Sequence, residues 1–455
     1  MAIKSFVRAL APALSIGLIA GFSASCKGPP VDASCDTYTG ELADLLETRG
    51  ALLPAVPEVE PYPMVVALGD TALQELVRGA ADDFSAALEA GPFQIQFSST
   101  AQNITLGAHG DCDTCIKVDF ENLKLSIYFG DPGEDDGGEI PLIGNITAAG
   151  EMTLGLPISV ERSNEVSYLV ADFNNLVLRD QDLELSLLSE QAEDLSLDEF
   201  KAVKDFLRET ITDRLSAEFG KTDLLEMRPW KLGSENVVLA ARKVFINSEE
   251  NTLVIGAATN LDIPVGAGLN TKIALGESDY MSVRFHAELL EKMSQRMLEE
   301  GEIPRIYNDN GDPDPNGPIS VTIESMDTTD NSNARVDTVF RVWRTDDQYC
   351  GWAEAAMPLF MEIEESAQIG VRAGELNVLQ GAGVGALVAT DEELVEDNKE
   401  IVEVFKAELA EQVALTVDYK ALDTPNGVFQ LFTTGVVSTE EGIEVGLNSL
   451  GSLVP

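Results

Sequence analysis

The sequence predicts an α+β protein made of two related halves that share a central sheet. Apolar residues recur at helical spacing over residues 70–91, and a similar run follows over residues 280–303. Each run ends at a glycine, Gly91 in LEAG and Gly301 in LEEG, where a helix C-cap favours a left-handed backbone. A proline follows soon after in both, and in the first copy apolar and polar residues then alternate in FQIQF. A long amphipathic helix that leads into a sheet, twice in one chain, indicates a duplicated domain.

Length and composition agree with two domains. The chain has 455 residues, and 44% of them are hydrophobic, so it is not a disordered acidic tail. Its 78 acidic and 30 basic residues give a net charge of -48. This balance is typical of a solvated acidic surface. It argues against nucleic acid as a partner, since phosphate binding requires a basic face.

Residues 1–25 have the pattern of a secretory signal peptide. Lys4 and Arg8 precede an apolar run over residues 9–22, and small residues lead up to Cys26. The order is similar to the bacterial lipoprotein cleavage motif, although Ser23 stands where that motif usually has leucine. We predict lipidation of Cys26 and a place in the bacterial cell envelope, as an outer-membrane lipoprotein. A soluble secreted chain is the alternative. Residues 26–62, with KGPPVDAS and LLPAVPEVEPYP around the short helix ELADLLET, are predicted to form a tether.

Residues 63–235 are predicted to form the first domain. After the first helical run, period-two alternation and β-branched residues predict antiparallel strands. A second amphipathic helix is predicted over residues 197–219. The predicted strands cover residues 93–97, 116–129, 146–160, 166–178 and 183–188.

Residues 236–278 are predicted to form the central sheet, with strands at 236–246 and 252–265, and residues 279–455 the second domain. The second domain has its own late helix over residues 394–417. The V-x-x-F of Val203 and Phe206 recurs there as Val402 and Phe405. Its predicted strands cover residues 319–326, 335–344, 351–363, 368–379, 427–437 and 442–447.

Four cysteines remain beside Cys26, namely Cys35, Cys112, Cys115 and Cys350, and they allow three pairings that the sequence does not distinguish. Cys112 and Cys115 form a C-x-x-C, for which a structural disulfide is favoured over a redox pair. Only two histidines, His109 and His286, accompany them, which makes a zinc site improbable.

The loop NDNGDPDPN, residues 308–316, has alternating side-chain oxygens that suit calcium. An exposed turn is the favoured interpretation, because the loop lacks the bidentate glutamate of an EF-hand. The motifs of triad hydrolases, zinc proteases and nucleotide-binding loops are missing from the sequence. We predict neither a metal nor a cofactor, and no enzymatic activity.

The order of elements resembles the tubular lipid-binding proteins, whose two-domain members include bactericidal/permeability-increasing protein and the plasma lipid-transfer proteins. The resemblance covers roughly residues 60–450 and is carried by VALGDTALQELVRGAADDF and by RPWKLGSENVVLAARKVFINSEENTLVIGAATNLDIPV, followed by MSVRFHAELLEKMSQRMLEEG. It implies a boomerang in which each arm is a highly twisted antiparallel sheet wrapped on long amphipathic helices. Each arm would hold acyl chains in an apolar pocket.

The expected function is binding or transfer of a lipid or other hydrophobic ligand by a membrane-anchored lipoprotein. The alternative is a structural or adhesive envelope lipoprotein with filled cores and no cargo. Because the chain is acidic throughout, a neutral lipid fits better than an anionic headgroup. The oligomeric state is left open. The predicted pocket consists of apolar residues on the helical runs: Leu73, Leu76, Val77, Phe84, Leu88, Val203, Phe206, Leu207, Val283, Ala287, Leu290, Met297, Val402 and Phe405.

Overall fold

The structure is a computed structural model. It describes residues 34–58, 60–80, 84–90, 93–130, 142–163, 166–187, 197–227, 230–231, 237–276, 279–330, 333–346, 349–364, 368–385, 395, 398–417, 421–424 and 427–449.

The described residues form a mixed α+β fold, as predicted, in which the paired strands run antiparallel and a sheet curls into a half-barrel. The helices are α1 Cys35–Thr48, α2 Asp70–Ala80, α3 Leu197–Phe219, α4 Ala287–Glu300 and α5 Lys399–Val417. The strands are β1 Met64–Leu68, β2 Phe84–Ala90, β3 Phe93–His109, β4 Cys112–Gly130, β5 Leu142–Ser163, β6 Val166–Asp172, β7 Leu183–Leu187, β8 Lys221–Met227, β9 Trp230–Lys231, β10 Val238–Asn247, β11 Thr252–Thr259, β12 Met281–His286, β13 Ile306–Tyr307, β14 Ile319–Thr328, β15 Arg335–Thr345, β16 Tyr349–Ile363, β17 Ile369–Ala373, β18 Asn377–Gly385, β19 Ala421–Thr424, β20 Gly427–Ser438 and β21 Gly442–Ser449.

The strands belong to a large sheet and a smaller one. The large sheet has the order β2-β3-β4-β5-β6-β8-β19-β20-β21-β12-β1-β11-β10-β9, with β7 paired to β5. The smaller sheet has the order β13-β14-β15-β16-β17, with β18 paired to β16. We call residues 63–276 the first half and residues 279–449 the second half.

The middle of the large sheet has a symmetric order. Strands β1 and β12 pair with each other, and Val66 lies opposite Val283. Strand β11 lies beside β1 as β21 lies beside β12, and the next strands outward are β10 and β20. Each of the two middle strands leads into a helix, α2 or α4. Strands from both halves thus lie side by side in the large sheet, whereas the two-domain boomerang layout stays a prediction.

The first predicted long helix is wrong in its second half. Helix α2 ends at Ala80, and residues 84–90 form strand β2, which pairs with β3 from Phe84 opposite Ser99 to Ala90 opposite Phe93. The pattern misleads because Phe84 and Leu88 are four residues apart. That spacing places two residues on one face of a helix and also on one face of a strand. Pairing with β3 decides between them.

The second predicted long helix starts later than expected. Residues 281–286 form β12, which pairs on both sides with β1 and β21, so Val283 lies in a strand. His286, expected within the helix, is the N-cap of α4. The predicted end is confirmed, since Gly301 has φ 80° and ψ 12° in the left-handed region.

Strand β1 is buried on both faces. Met64, Val66 and Leu68 belong to the large core, while Val65 and Ala67 belong to a smaller cluster on the opposite face. The smaller cluster also contains Tyr62, Val254, Ala258, Leu269 and Ile273. A strand covered on both sides has no need of polar residues, which explains the unbroken apolar sequence MVVAL.

Helix α1 lies within the predicted tether and packs on β15 and β16 of the second half. A disulfide joins Cys35 to Cys350, and the other joins Cys112 to Cys115. Arg341 of β15 donates a hydrogen bond to Glu41 at 3.4 Å. Part of the range predicted to be a tether is thus fixed to the second half.

Candidate functional site: an apolar cleft between α1 and α4

Most of the predicted pocket residues whose side chains are described lie in one continuous core. This cluster of buried residues spans both halves and includes Leu73, Leu207, Val283, Leu290, Met297, Val402 and Phe405, each between 0% and 3% exposed. Ala287 is also buried, and Phe206 is partly buried against the cluster. The ring of Phe405 lies 5.1 Å from that of Phe340. These side chains contact protein atoms.

The remaining five predicted residues lie on elements of the first half. Leu76 and Val77 lie on α2, Phe84 and Leu88 on β2, and Val203 on α3. Their side chains, and the whole of Cys26, lie outside the described residues. The predicted pocket of the first half therefore stays a prediction.

An apolar cleft opens beside the core, between α1, α4 and β14. Leu45 and Leu46 of α1 form one wall, Leu298 of α4 the other, and Val321 and Ile323 of β14 the floor. The floor residues and Leu298 are buried, whereas Leu45 and Leu46 are half-buried at the mouth. The cleft encloses about 20 Å³, and its volume reaches about 250 Å³ only when the open solvent at its mouth is included.

Helix α4 has one side on the core and another on the cleft. Met293 and Met297 point into the core, while Gln295 and Leu298 face the cleft. At the end of α1, Gly50 has φ 71°, and a Cβ there would lie only 3.0 Å from the Cα of Arg296. Glycine at this position allows the chain to pass close to α4.

Charged groups line the rim of the cleft. Arg49 donates from Nη1 and Nη2 to the two carboxylate oxygens of Glu324, at 2.8 and 2.7 Å, and also to the Ile323 carbonyl. Glu299 is paired with Arg296 at 3.1 Å. Burial raises the pKa of Glu299, although Arg296 and Arg305 oppose the shift. Among the described residues, the Arg305 side chain makes neither an ion pair nor a hydrogen bond, although its charge acts on Glu299.

The pKa values of two side chains at α4 are shifted, those of Glu291 and of the N-cap His286. Gln295 donates to Glu291 at 2.9 Å and to the Ile323 carbonyl at 3.1 Å. Burial raises the pKa of Glu291, and nearby Glu288 adds to the rise. His286 accepts a hydrogen bond at Nδ1 from the backbone N–H of Glu288, at 3.1 Å, and burial lowers its pKa.

A second polar cluster lies away from the cleft, at the β3–β4 hairpin. His109 Nε2 lies 2.8 Å from Asp182, which also accepts hydrogen bonds from the Arg179 side chain at 2.9 Å. Burial alone would raise the pKa of Asp182, but the hydrogen bonds from Arg179 and His109 outweigh it and lower the pKa. The cluster fixes the hairpin beside the disulfide of Cys112 and Cys115 and offers no nucleophile.

In the loop of residues 308–316, predicted to be an exposed turn, side-chain oxygens cap turns. Asn308 Oδ1 accepts from the backbone N–H groups of Asn310 and Asp312, at 2.9 and 3.1 Å, and Asp314 accepts from Asn316 at 2.9 Å. Among the described residues, no group of three or more histidines, cysteines or carboxylates is arranged to hold a metal ion. Within the same residues, no helix combines the length and apolar composition that crossing a bilayer requires.

Sequence reasoning missed the cleft. Its signal is in the segment ELADLLETRG, where Leu42, Leu45, Leu46 and Arg49 recur at the spacing of one helix face. This pattern predicts an amphipathic helix that needs an apolar partner surface. It does not identify that surface, which is more than 250 residues away in the chain at Leu298 and Ile323.

No known protein-family profile matches the chain, and no curated protein matches it in sequence. Solved structures that are similar to it include P47 from Clostridium botulinum A2, with a TM-score of 0.39, 7% identity, and coverage of 85% of this chain and 97% of that one. A lipopolysaccharide binding protein has a TM-score of 0.37, 10% identity, and coverage of 86% of this chain and 99% of that one. Because both TM-scores are below 0.5, these likenesses do not establish a shared function.

Proposed function

We propose that the chain binds a lipid or another apolar ligand without covalent chemistry, as a secreted protein anchored to the bacterial envelope through a lipid on Cys26. The observation that carries the binding proposal is the cleft between α1, α4 and β14, where leucine, valine and isoleucine side chains lie beside a charged and polar rim. Apolar walls around an open space favour an apolar occupant, since burial removes the hydrocarbon from water.

The size of the cleft limits what it holds. The enclosed space of the cleft, about 20 Å³, is far below the volume of usual ligand pockets, about 300–1,000 Å³. A ligand chain therefore enters the cleft only when α1 moves away from α4. Each methylene that enters contributes about 0.8 kcal/mol.

The test uses the mature chain without its lipid anchor. Native mass spectrometry and solvent extraction would identify a co-purified apolar ligand, and a neutral fluorescent probe would measure binding. Leu46→Gln makes the cleft wall polar and is expected to weaken the binding of the probe. Leu415→Gln, at a leucine on α5 that is 62% exposed, is the matched control and is expected to bind like wild type. Finding neither a ligand nor probe uptake would refute the proposal.

A second candidate function is a structural or adhesive envelope lipoprotein without cargo. The closed packing around Leu73, Leu207 and Phe405 favours it, because filled cores leave no room for acyl chains there. The same experiment separates the two candidates. Anchoring is tested on its own: Cys26→Ala is expected to release the protein from membranes, and continued membrane association would rule out this anchor.

A further inference from the structure

Strand β18, residues Asn377–Gly385, lies at an edge of the smaller sheet. It pairs with β16 on one side, and β16 pairs with β15 on its own other side. Among the described residues, no strand pairs with the outer side of β18, and no backbone hydrogen bond joins it to another segment. The N–H and C=O groups on that side are therefore free to pair with a further strand.

The sequence of β18 does not protect this edge. Proteins usually protect open edges by keeping the strand very short or by placing charged residues on it. Strand β18, NVLQGAGVG, has 9 residues and contains neither a charge nor a proline, although 24% of the residues in the chain are charged. The other described strands with an unpaired side are protected: β9 and β13 have 2 residues each, and β2, β7 and β17 contain Glu89, Glu184 and Arg372.

The regular part of the edge is Gln380–Gly385. Leu379 forms a bulge, because Val378 and Gln380 pair with neighbouring residues of β16 and leave Leu379 without a partner there. After the bulge every second residue is glycine, which allows another backbone to approach closely. Leu379, at the end of this regular stretch, is 47% exposed. Its burial against a further strand would add apolar contact to the backbone hydrogen bonds.

We propose that β18 pairs with β18 of a second copy of this chain, antiparallel and about a twofold axis perpendicular to the sheet. The two smaller sheets then form one continuous sheet. A net charge of -48 makes most surfaces of two copies repel each other. The uncharged strand is an edge at which two backbones meet without like charges opposite one another. Such an interface is self-complementary, since the same strand is used by both copies. This inference is independent of the proposed apolar ligand.

The position of α1 agrees with a second copy as the partner. Helix α1 packs across β15, β16 and β18, and Cys35 at its start is joined to Cys350 of β16. A rotation about an axis perpendicular to the sheet keeps each face of the sheet on its own side. The α1 helices of both copies therefore lie on the same face of the pair. Two chains that are anchored in one membrane, as proposed for Cys26, require this arrangement.

The experiment measures the mass of the mature chain, without its lipid anchor, by light scattering over a wide range of protein concentrations. Hydrogen–deuterium exchange is measured over the same range. The mass is expected to rise to that of two chains, and the amides of residues 377–385 are expected to become protected as it rises. Leu379→Glu is expected to weaken the dimer about tenfold or more, because each copy loses an apolar contact and gains a charge at the edge. Leu415→Glu, at the leucine of α5 that is 62% exposed, is the matched control and is expected to dimerise like wild type.

A single-chain mass at every concentration would overturn the proposal, and protection of residues 377–385 in that monomer would show that the edge is covered within the chain. A dimer that Leu379→Glu and Leu415→Glu weaken equally, with β18 unprotected, would place the interface elsewhere and also overturn it. An unchanged urea midpoint would show that Leu379→Glu is folded. If the midpoint falls, the exchange of wild-type β18 decides: protection that rises with concentration supports the dimer, and exchange that is independent of concentration refutes it.

Discussion

Removal of the disulfide between Cys35 and Cys350 tests how firmly α1 is held over the cleft. The two cysteines are 315 positions apart, whereas Cys112 and Cys115 are 3 apart. A crosslink stabilises mainly by restricting the unfolded chain, and the effect grows with the logarithm of the loop length. The two disulfides of one protein therefore form a matched pair with very different loops.

Loop-closure entropy predicts roughly 5 to 6 kcal/mol of stabilisation for the long loop and about 2 kcal/mol for the short one. Strain in the folded protein and residual structure in the unfolded chain reduce such values. We expect the free energy of unfolding to fall by about 4 kcal/mol in the double variant Cys35→Ser, Cys350→Ser. The double variant Cys112→Ser, Cys115→Ser is expected to lose about 1 to 2 kcal/mol.

Urea unfolding followed by circular dichroism measures both losses, and probe binding measures the cleft. The variant that lacks the long-range disulfide is expected to bind the neutral probe more weakly, since Leu45 and Leu46 lose their tether to the second half. The reasoning would be refuted if the short-loop variant lost as much stability as the long-loop variant. Unchanged binding after removal of the long-range disulfide would show that Arg49 and Glu324 alone position α1.

Three further predictions concern the helix ends and the buried groups of α4. The raised pKa of Glu291 means that its charged form destabilises the fold. The wild type therefore loses stability as the pH rises from below 4.5 through the raised pKa. Glu291→Gln is expected to remove this loss, measured by urea titrations at several pH values. The lowered pKa of His286 has the opposite effect: its stability is present above pH 6.5 and is lost as pH falls through the lowered pKa. His286→Asn keeps a capping acceptor and is expected to remove this acid-side loss. Gly301→Ala is expected to lower the free energy of unfolding by about 1 kcal/mol, because Gly301 has a positive φ. Gly40→Ala, within α1 and with open space around it, is expected to raise the free energy of unfolding by about 0.5 to 1 kcal/mol, measured by thermal unfolding.

Each of these predictions has an outcome that contradicts it. If the stability of Glu291→Gln changed with pH as much as that of wild type, the carboxyl group would not be the source of the loss. For His286→Asn, an acid-side decline equal to that of wild type would point to another titrating group. The glycine pair must give effects of opposite sign, and equal losses at Gly301 and Gly40 would show that backbone conformation is not what distinguishes the two sites.

The sequence is most informative where a pattern is long. Helix α3 has the bounds that its apolar periodicity predicts, and Gly220 follows it with φ 52°, as expected at a helix end. Strands β15 and β16 are predicted nearly as well, because they alternate over ten or more residues, whereas the single strand predicted over residues 368–379 is wrong, since β17 and β18 share that range. Periodicity specifies which side of an element is buried when the element is long enough to repeat it several times.

Prediction fails where short segments are decided by distant partners. Phe84 and Leu88 fit a helix and a strand equally well, and only pairing with β3 selects the strand. Val283 is in a strand because β1 and β21 flank it on both sides. The cleft requires α1, α4 and β14 to meet, and neither the disulfide partner of Cys35 nor the location of Arg305 beside Val321 is encoded in a local pattern.

The strand order of the large sheet has a consequence for how the protein is made. Strand β8 of the first half pairs with β19, and β12 pairs with β21. Both partner strands come from residues 421–449. During synthesis the first half emerges first, yet the edge of its sheet stays open until residues 421–449 arrive. A truncation before β19 would expose unpaired backbone groups on both β8 and β12. Strands β19, β20 and β21 thus join the two parts of the large sheet. We expect premature stop codons before these strands to give aggregated protein rather than a shorter folded one.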